Sequence, residues 1–401
     1  MLQIYKLFIM KKIVYLNPLK MNRKVAIIDP LGAHGSSHHF YLFGQASGLL
    51  KNDVEVSLYT NNETVSPEIK GLKFFTFYKE IFKSKSKTIS GVRWILGTVF
   101  SVFHARFSGI SIFHFHIFYT NVLVLFNLLV VKILFGKVVL TIHDVSSFSN
   151  SSNSSIIGKL IYKLTDRIIT HNEFSKSEII NVNGNLSSCI SIVPHGNYTP
   201  FINIQYDKEK SREQLGIPSN RRILLFFGMI KKVKGLEVLL SALKGVVKNN
   251  PDILLVIAGR VWENDFSTYQ KIIDENNLSE YILLHTKFIP HEDVEHYYCA
   301  SDLVVLPYKK IYQSGVLMMT LSYERPALVS DLAPLREIIT NNENGFLFNT
   351  ENVSDLTNKL NSILGNEELM EKVRTKGTEL INTKYDWTEI GKQTKQAYQS
   401  V

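Results

Sequence analysis

The chain has 401 residues, of which 45% are hydrophobic and 20% are charged. This is the composition of a globular protein with enough length for two or three domains, and it excludes a disordered or fibrous chain. Only two cysteines are present, which excludes a disulfide framework and a multi-cysteine zinc module and fits a reducing compartment.

The excess of positive charge lies in the first half of the chain. Residues 1–200 carry 21 Lys and Arg against 10 Asp and Glu, whereas residues 201–401 carry 24 against 26. We therefore expect the first half to face an anionic partner, either nucleic acid or an acidic membrane surface.

A basic segment at residues 79–106 bears on this choice. Its lysines and arginines are interleaved with bulky apolar side chains, which is typical of a segment in a membrane interface and equally of a helix with an apolar core face and a solvated basic face. No nucleic-acid-binding motif accompanies it, so we predict an anionic membrane surface as a partner and no nucleic acid.

Neither a signal peptide nor a membrane span is predicted. Residues 1–21 lack a small-residue cleavage site after a long apolar core. The most apolar stretch, residues 122–135, is shorter than the roughly 20 residues that a spanning helix needs. We expect a buried or surface-docked helix there.

Strand and helix patterns alternate along the chain. In the first half, strands are predicted at 25–28, 54–59, 111–115, 138–142, 167–170 and 190–193, and a helix at about 38–50. In the second half, strands are predicted at 223–227, 253–257, 282–285 and 303–306, and helices at 236–247, 266–276 and 293–299.

This β-α-β alternation predicts an α/β protein with two doubly wound domains, each built on a parallel sheet. The Gly-Ile-Pro turn at residues 216–218 marks the boundary region, and we place the linker at about 197–219. Ligands of such domains bind at the carboxyl ends of the strands, so the site is expected in the cleft between the two domains.

The strongest local signal follows the predicted strand at 223–227. That strand leads into Gly228, and three lysines, among them Lys231 and Lys234, follow in a short loop before Gly235 and a helix. Backbone N–H groups at a helix start attract phosphate, and lysines add full charges. A solvated basic loop would have the same composition.

A second signal follows the predicted strand at 303–306. The loop after it leads into a helix near Ser314, which is a good N-cap, and Gly315 lets a ligand approach the backbone. An ordinary capped helix would look the same. Two such cradles at strand ends in one half of the chain nevertheless point to a diphosphate.

Seven short segments carry a family resemblance. They are 190–198 (ISIVPHGNY), Lys234-Gly235, 256–259 (VIAG), 300–307 (ASDLVVLP), 313–316 (QSGV), 344–348 (NGFLF) and Trp387. Together they resemble the family 4 glycosyltransferases of the GT-B fold, in which two Rossmann-like domains face a central cleft. The resemblance covers nearly the whole chain, and the QSGV segment is similar to a branch of bacterial polysaccharide enzymes.

The resemblance implies a retaining glycosyltransferase that moves a sugar from a nucleoside-diphosphate sugar to a glycan acceptor. The acceptor would be lipid-linked, in the assembly of a bacterial surface polysaccharide. Residues 1–200 would bind the acceptor and residues 201–385 the donor, while residues 386–401 would form a helix that returns to the first domain. The protein would then work in the cytoplasm, peripherally at the inner face of the cell membrane.

The resemblance also implies roles for single residues. Lys231 and Lys234 would bear the diphosphate charge as the glycosidic bond breaks, and His143 would lie near the transferred sugar. The residues expected to bind the donor are Gly228, Phe288, Ile289, Ser314, Gly315, Val316 and Glu337. On the acceptor side, Gly32 and Gly35 lie in the loop after the first strand.

The sequence departs from the family pattern at three places. Glu324 stands where a Gly is usual, and Met229 stands where an Arg is frequent, so Lys231 would take the place of that Arg. The third departure concerns a pair of glutamates. Many members carry two glutamates eight positions apart around the sugar-binding loop, and Ile311 and Met319 stand at those positions. A catalytically degenerate GT-B scaffold, or a GT-B isomerase or phosphorylase, is therefore an alternative. Donor turnover with an added acceptor separates the three.

We predict no metal and no cofactor. The sequence has no Asp-x-Asp motif, which commonly holds a divalent ion in the other large glycosyltransferase fold. His114 and His116 share one strand face and could form half a metal site, but no third or fourth ligand stands out, so we expect a packing or cleft-edge role. The lysines and backbone N–H groups would then stabilise the negative charge of the leaving group.

Overall fold

The computed structural model describes residues 23–34, 38–145, 152–182, 184–202, 207–262 and 265–401. Within these ranges, thirteen β-strands form two parallel sheets. The strands of the first sheet are β1 (Arg23–Asp29), β2 (Val54–Asn61), β3 (Lys73–Tyr78), β4 (Ile112–Ile117), β5 (Lys137–Ile142), β6 (Arg167–Thr170) and β7 (Ile190–Ile192). Those of the second are β8 (Arg222–Phe227), β9 (Ile253–Ala258), β10 (Ile282–His285), β11 (Leu303–Leu306), β12 (Ala327–Ser330) and β13 (Phe346–Phe348).

Fourteen α-helices accompany these strands in the described ranges. Those of the first half are α1 (His38–Lys51), α2 (Lys87–Phe107), α3 (Val122–Ile133), α4 (Ser152–Leu164) and α5 (Glu173–Val182). Those of the second half are α6 (Lys208–Gln214), α7 (Leu236–Asn249), α8 (Ser267–Glu275), α9 (His291–Ala300), α10 (Gly315–Ser322), α11 (Ala333–Arg336), α12 (Val353–Leu364), α13 (Glu367–Thr383) and α14 (Trp387–Gln399).

The strand order confirms the predicted fold. The order is β3-β2-β1-β4-β5-β6-β7 in the first sheet and β10-β9-β8-β11-β12-β13 in the second. In each sheet the order reverses beside its first strand, between β1 and β4 and between β8 and β11. Loops leave such a point in opposite directions, which opens a crevice at the carboxyl ends of the strands. The molecule therefore consists of two doubly wound, Rossmann-like units.

Both faces of the first sheet are covered, because alternate side chains of its strands pack into different cores. Phe113 and Phe115 of β4 lie in the core under α2, α3 and α4. Ile112 of the same strand lies in the core shared with α1 and α14. This is why β4 is buried along its whole length, including His114 and His116, rather than on one face only.

The predicted strands match the observed ones to within two residues, but three edge-side strands were missed. β12 and β13 are only four and three residues long, and β3 lies at the edge of its sheet with mostly half-buried side chains. The predicted linker also contains a helix, α6. Its N-cap Asp207 accepts from two backbone N–H groups, and Arg212 binds Asp302 of the second unit at 3.0 Å.

The two connections between the sheets run side by side. Asn197 on the first connection accepts from Trp387 Nε1 through its carbonyl oxygen at 2.7 Å, and its own N–H donates to Tyr385 O at 2.9 Å. Trp387 is buried against Gly44 of α1. The last helix, α14, therefore packs on the first unit although it follows the second in the chain.

Candidate active site

A cavity of ≈ 450 Å³ lies between the two units, at the carboxyl ends of β8 and β9. Five of the predicted donor-binding residues line it: Gly228, Phe288, Ile289, Gly315 and Val316. The first unit contributes Ala33, His39 and Phe40 to the same cavity. The volume is within the range of small-molecule sites.

The lysine loop lies beside this cavity. Residues Lys232–Lys234 form a 3-10 turn, and Gly235 follows with a φ of +67° before α7 begins. The Lys234 amine lies 3.7 Å from the centre of the Tyr308 ring, and Lys309 N donates to Val233 O at 2.9 Å. The two loops that the sequence singled out thus contact each other.

Gly235 is needed because of its backbone geometry. A Cβ on this residue would overlap the carbonyl oxygen of Pro307, and its positive φ is strained for other residues. We expect Gly235→Ala to lower the free energy of unfolding by about 1–3 kcal/mol, measured by urea unfolding. Gly365→Ala is the matched control, because a Cβ there meets nothing within 4 Å. Equal losses in the two variants would contradict this account.

The second cradle is a capped helix start. The Ser314 hydroxyl accepts from Leu317 N at 3.1 Å, as the N-cap prediction requires. A Cβ on Gly315 would lie 3.1 Å from the Tyr198 hydroxyl, and one on Gly228 would lie 3.3 Å from Val316. The backbone at the start of α10 is thus open to the cavity and close to the end of β8.

Lys231 faces the first unit across the cleft. Its amine lies 4.2 Å from the centre of the Trp262 ring. Burial and the neighbouring Lys234 lower the pKa of Lys231, and Asp144, next to His143, acts in the opposite direction. Lys231 of the second unit and Asp144 of the first, the neighbour of His143, are therefore close enough to interact across the cleft.

His143 lies in a chain of hydrogen-bonded imidazoles. Its Nδ1 is 3.0 Å from His171 Nε2, and its Nε2 is 3.1 Å from His116 Nδ1. His171 Nδ1 is 3.0 Å from Val193 O, and His116 Nε2 is 2.9 Å from the Gln45 amide. The chain thus runs from β7 through β6, β5 and β4 to α1.

The end of this chain fixes its tautomers. A carbonyl only accepts, so His171 Nδ1 donates to Val193 O, and a neutral His171 accepts at Nε2. His143 Nδ1 therefore donates to His171 Nε2, and His143 Nε2 accepts from His116 Nδ1. A neutral His116 is then left with Nε2 as an acceptor. If all three histidines are neutral, the Gln45 amide nitrogen has to face His116 Nε2 and donate to it. In the opposite amide orientation this nitrogen is buried without a hydrogen-bond partner.

Burial keeps this chain neutral. Desolvation lowers the pKa of His171 to about 4, and it lowers the pKa of His116 and His143 well below their ordinary value, with the neighbouring imidazoles adding to the effect for these two. Because both nitrogens of His143 are engaged and its side chain is 9% exposed, it reaches a substrate through a nitrogen only by giving up one of these bonds.

His114 and His116 share one strand face, as predicted, with ring centres 4.7 Å apart. His114 is buried and bonds Tyr398 and Thr141, each at 2.7 Å, which is a packing role. Sequence spacing missed that His38, His116 and His143 bring ligand atoms within 4.8 Å of one another. Because both nitrogens of His143 are engaged, a metal ion there would have to displace one of its two hydrogen bonds.

The described part of the loop after β1 folds around a buried carboxylate. Gly32 N donates to Asp29 Oδ2 at 2.7 Å, and Gly32 adopts a φ of +48°. Burial raises the pKa of Asp29 to about 7, against the hydrogen bonds from Gly32 and Leu31, which lower it. Gly35, the other predicted residue of this loop, lies outside the described residues.

Glu337 lies apart from the cavity and bridges the two units. Its carboxylate accepts from Glu173 N at 2.9 Å and from Phe174 N at 3.0 Å, at the start of α5. Beside it, Asn172 Nδ2 donates to Tyr312 O at 2.6 Å. A donor that bound Glu337 would therefore compete with the backbone of the first unit.

The sequence reasoning missed three residues of the second unit. Arg260 lines the cavity, Trp262 lies against Lys231, and Tyr308 lies under Lys234. Arg260 directly follows Gly259, at the carboxyl end of β9, so the strand-end rule that singled out Gly228 would have found it as well.

Comparisons with known proteins agree with this architecture. Residues 207–380, just under half of the chain, match the model of the family "Glycosyl transferases group 1". YtcC of Bacillus subtilis, which is named a glycosyltransferase, is 24% identical over 282 residues, or 66% of this chain and 68% of that protein. The phosphatidyl-myo-inositol mannosyltransferase of Mycobacterium leprae is 26% identical over 204 residues, or 49% of this chain and 52% of that protein.

Among solved structures, Anabaena HepE in complex with UDP and glucose superposes with a TM-score of 0.72. It is 15% identical, and the match covers 95% of this chain and 100% of that one. The chain spans about half to two-thirds of the length of the two curated relatives. The chain therefore has the GT-B fold, and its residues 207–380 are similar to the glycosyl transferases of group 1.

Proposed function

We propose that the protein is a retaining glycosyltransferase that uses a nucleoside-diphosphate sugar as donor. The observation that carries this proposal is the cavity of ≈ 450 Å³ between the units, which is lined by Gly228 at the end of β8 and by Gly315 and Val316 at the start of α10. The solved relative with UDP and glucose supports a donor of this class. Retention of configuration rests on the family resemblance of the motifs.

The second unit would hold the donor. As the glycosidic bond breaks, the diphosphate oxygens gain charge, and Lys231, Lys234 and the backbone N–H groups at the start of α10 would stabilise that charge. Phe288 is 61% exposed beside the buried Ile289, which suits a ring that stacks on the base.

The first unit would bind the acceptor. His143 and the loop at Gly32 lie on its side of the cleft, and we propose a lipid-linked glycan of a bacterial surface polysaccharide. The basic balance of residues 1–200 supports an acceptor in an anionic membrane. The name of the Mycobacterium leprae relative supports a lipid-linked one.

A panel of nucleoside-diphosphate sugars tests the proposal, with released nucleoside diphosphate as the readout. We expect release with one donor only when a glycan acceptor is added, and a product linkage whose anomeric configuration, read by NMR, equals that of the donor. An isomerase would convert a donor to an isomeric nucleotide sugar without an acceptor and without releasing nucleoside diphosphate. A phosphorylase would release a sugar phosphate from a glycan with inorganic phosphate. The absence of all three reactions would indicate a scaffold.

Chelation tests the electrostatic part of this scheme. Because lysines and backbone N–H groups meet the leaving group, we expect turnover to persist in excess EDTA. Loss of turnover that Mg²⁺ or Mn²⁺ restores would contradict the proposed site. Loss that only Zn²⁺ restores would direct attention to His38, His116 and His143 instead.

A further inference from the structure

The outer face of helix α2 is apolar along its length. Its exposed hydrophobic side chains are Ile89, Val92, Leu96, Phe100, Phe103 and Phe107. Steps of three and four residues place them on one side of the helix. The opposite side, with Thr98 and Val102, is already buried in the first unit. Packing within the fold therefore does not account for the outer stripe.

The stripe continues onto the two neighbouring helices. α3 packs beside α2, and α4 packs beside α3. Their exposed apolar side chains are Val122, Leu129, Ile133, Phe135 just after α3, Ile156 and Leu160. We call these side chains, together with those of α2, the outer apolar face. A contiguous face of this kind on a single chain marks a surface for a partner or a membrane.

Polar contacts hold the first two helices of this face together. The Asn127 Oδ1 of α3 accepts from Thr98 at 2.8 Å and from Trp94 Nε1 at 3.2 Å, both on α2. Arg106 Nε at the end of α2 donates to Leu134 O at 3.0 Å. The face is thus a surface of fixed shape.

The charge around the face has one sign. None of the three helices contains an acidic residue, and together they carry Lys87, Arg93, Arg106, Lys132, Lys159 and Lys163. Residues 81–165 contain nine Lys and Arg and a single acidic residue, Asp144. Two copies of this face would repel each other, whereas an anionic surface would attract it.

We infer that the outer apolar face docks the first unit on an anionic lipid bilayer. Its aromatic and aliphatic side chains would lie at the boundary of headgroups and acyl chains, and the lysines against lipid phosphates. In the described part of the chain, every helix is too short or too polar to span a bilayer. The face also adjoins the cleft, because α3 begins at Val122, close behind the carboxyl end of β4 at Ile117.

Vesicle binding tests this inference without any nucleotide sugar, so its outcome is independent of the proposed donor chemistry. The full chain is co-sedimented with vesicles of phosphatidylcholine alone and of phosphatidylcholine with about one-third phosphatidylglycerol. We expect binding to the anionic vesicles only, and a fall in binding as salt is raised.

Matched variants locate the surface. Each lysine near an anionic membrane is worth about fivefold in binding, so replacing Lys87, Lys159 and Lys163 together by glutamine should lower the partition coefficient about 10²-fold. Replacing Phe100, Phe103 and Phe107 by serine should lower it more than about tenfold. Replacing the exposed Lys244, Lys248 and Lys372 of the second unit by glutamine should leave it unchanged. Circular dichroism checks that each variant is folded.

Three results would overturn the inference. The first is a folded native protein that does not bind anionic vesicles at low salt. The second is a serine variant that binds them as well as the native protein does. The third is a lipid-free dimer that the same serine substitutions dissociate, because a second copy would then cover the face. Sedimentation velocity without lipid distinguishes this case.

Discussion

Lys234→Ala is expected to lower turnover by about 10²–10³-fold, the scale for losing one electrostatic donor to a developing charge. The Lys234 amine is held over the Tyr308 ring, 3.7 Å from its centre, beside the loop that begins at Pro307. A fixed cation stabilises the charge of the leaving diphosphate without reorganisation during the reaction. Release of nucleoside diphosphate at saturating donor and acceptor measures the effect.

The same loop offers a control. Lys232 is exposed and lies two residues away in the same 3-10 turn. Lys232→Ala removes an equal charge from the loop but none that faces Tyr308, so we expect less than about a threefold change in turnover. If both variants lose turnover equally, the loop acts through its overall charge. If folded Lys234→Ala retains full turnover, Lys234 has no part in the reaction.

The two loops of the second unit at the cleft were predictable because the parts of each are contiguous in the sequence. Gly228, the lysine loop and Gly235 form one strand–loop–helix passage, and Ser314 with Gly315 form another. Each passage can be recognised without knowing the rest of the fold. The sequence could not show that the Lys234 amine lies over the Tyr308 ring or that the Lys231 amine lies over the Trp262 ring, since those contacts join different loops.

The histidine chain shows the limit of spacing arguments. Period-two spacing found His114 and His116, but His171 is a single histidine in its segment. It directly follows β6, as His143 directly follows β5, so the parallel register brings the two side by side. A search for polar residues directly after neighbouring predicted strands would have found His143 and His171 as a pair. The role of Gln45, which comes from α1, required the packed structure.

The outer apolar face was visible in the sequence only as an ambiguity. Residues 79–106 fitted both an interfacial segment and a helix with an apolar core face, and α2 has apolar side chains on both sides. Only the packing shows that Val102 faces the core while Phe100 is 60% exposed. A helix that is apolar all round gives no directional signal by itself.

A second large effect is expected from acid. Six histidines are buried in the first unit and its connection to the second: His38, His114, His116, His143, His171 and His195. Burial lowers the pKa of each from its ordinary 6.5: to about 4 for His171, to about 3 for His38, His114 and His195, and well below 6.5 for His116 and His143. Between pH 6.5 and about 4 they are neutral in the folded protein and charged in the unfolded chain.

The sign and size of the effect follow from proton linkage. The unfolded chain binds more protons in this range, so stability present above pH 6.5 is lost as the pH falls. Asp29 has the opposite effect. Burial raises its pKa to about 7, so in this pH range the carboxyl is protonated in the folded protein and ionised in the unfolded chain, which offsets one proton of the difference. A net difference of about five protons gives about 7 kcal/mol per pH unit, against a typical total stability of about 5–15 kcal/mol.

We therefore expect cooperative unfolding within about one to two pH units below 6.5. Urea unfolding at a series of pH values measures the slope of the free energy against pH. His114→Gln keeps a side chain that can bond Tyr398 and Thr141 but removes one titrating group, so its slope should be smaller by about one proton, or about 1.4 kcal/mol per pH unit. A free energy of unfolding that stays constant between pH 7 and 5 would mean that these imidazoles carry their protons in the folded protein.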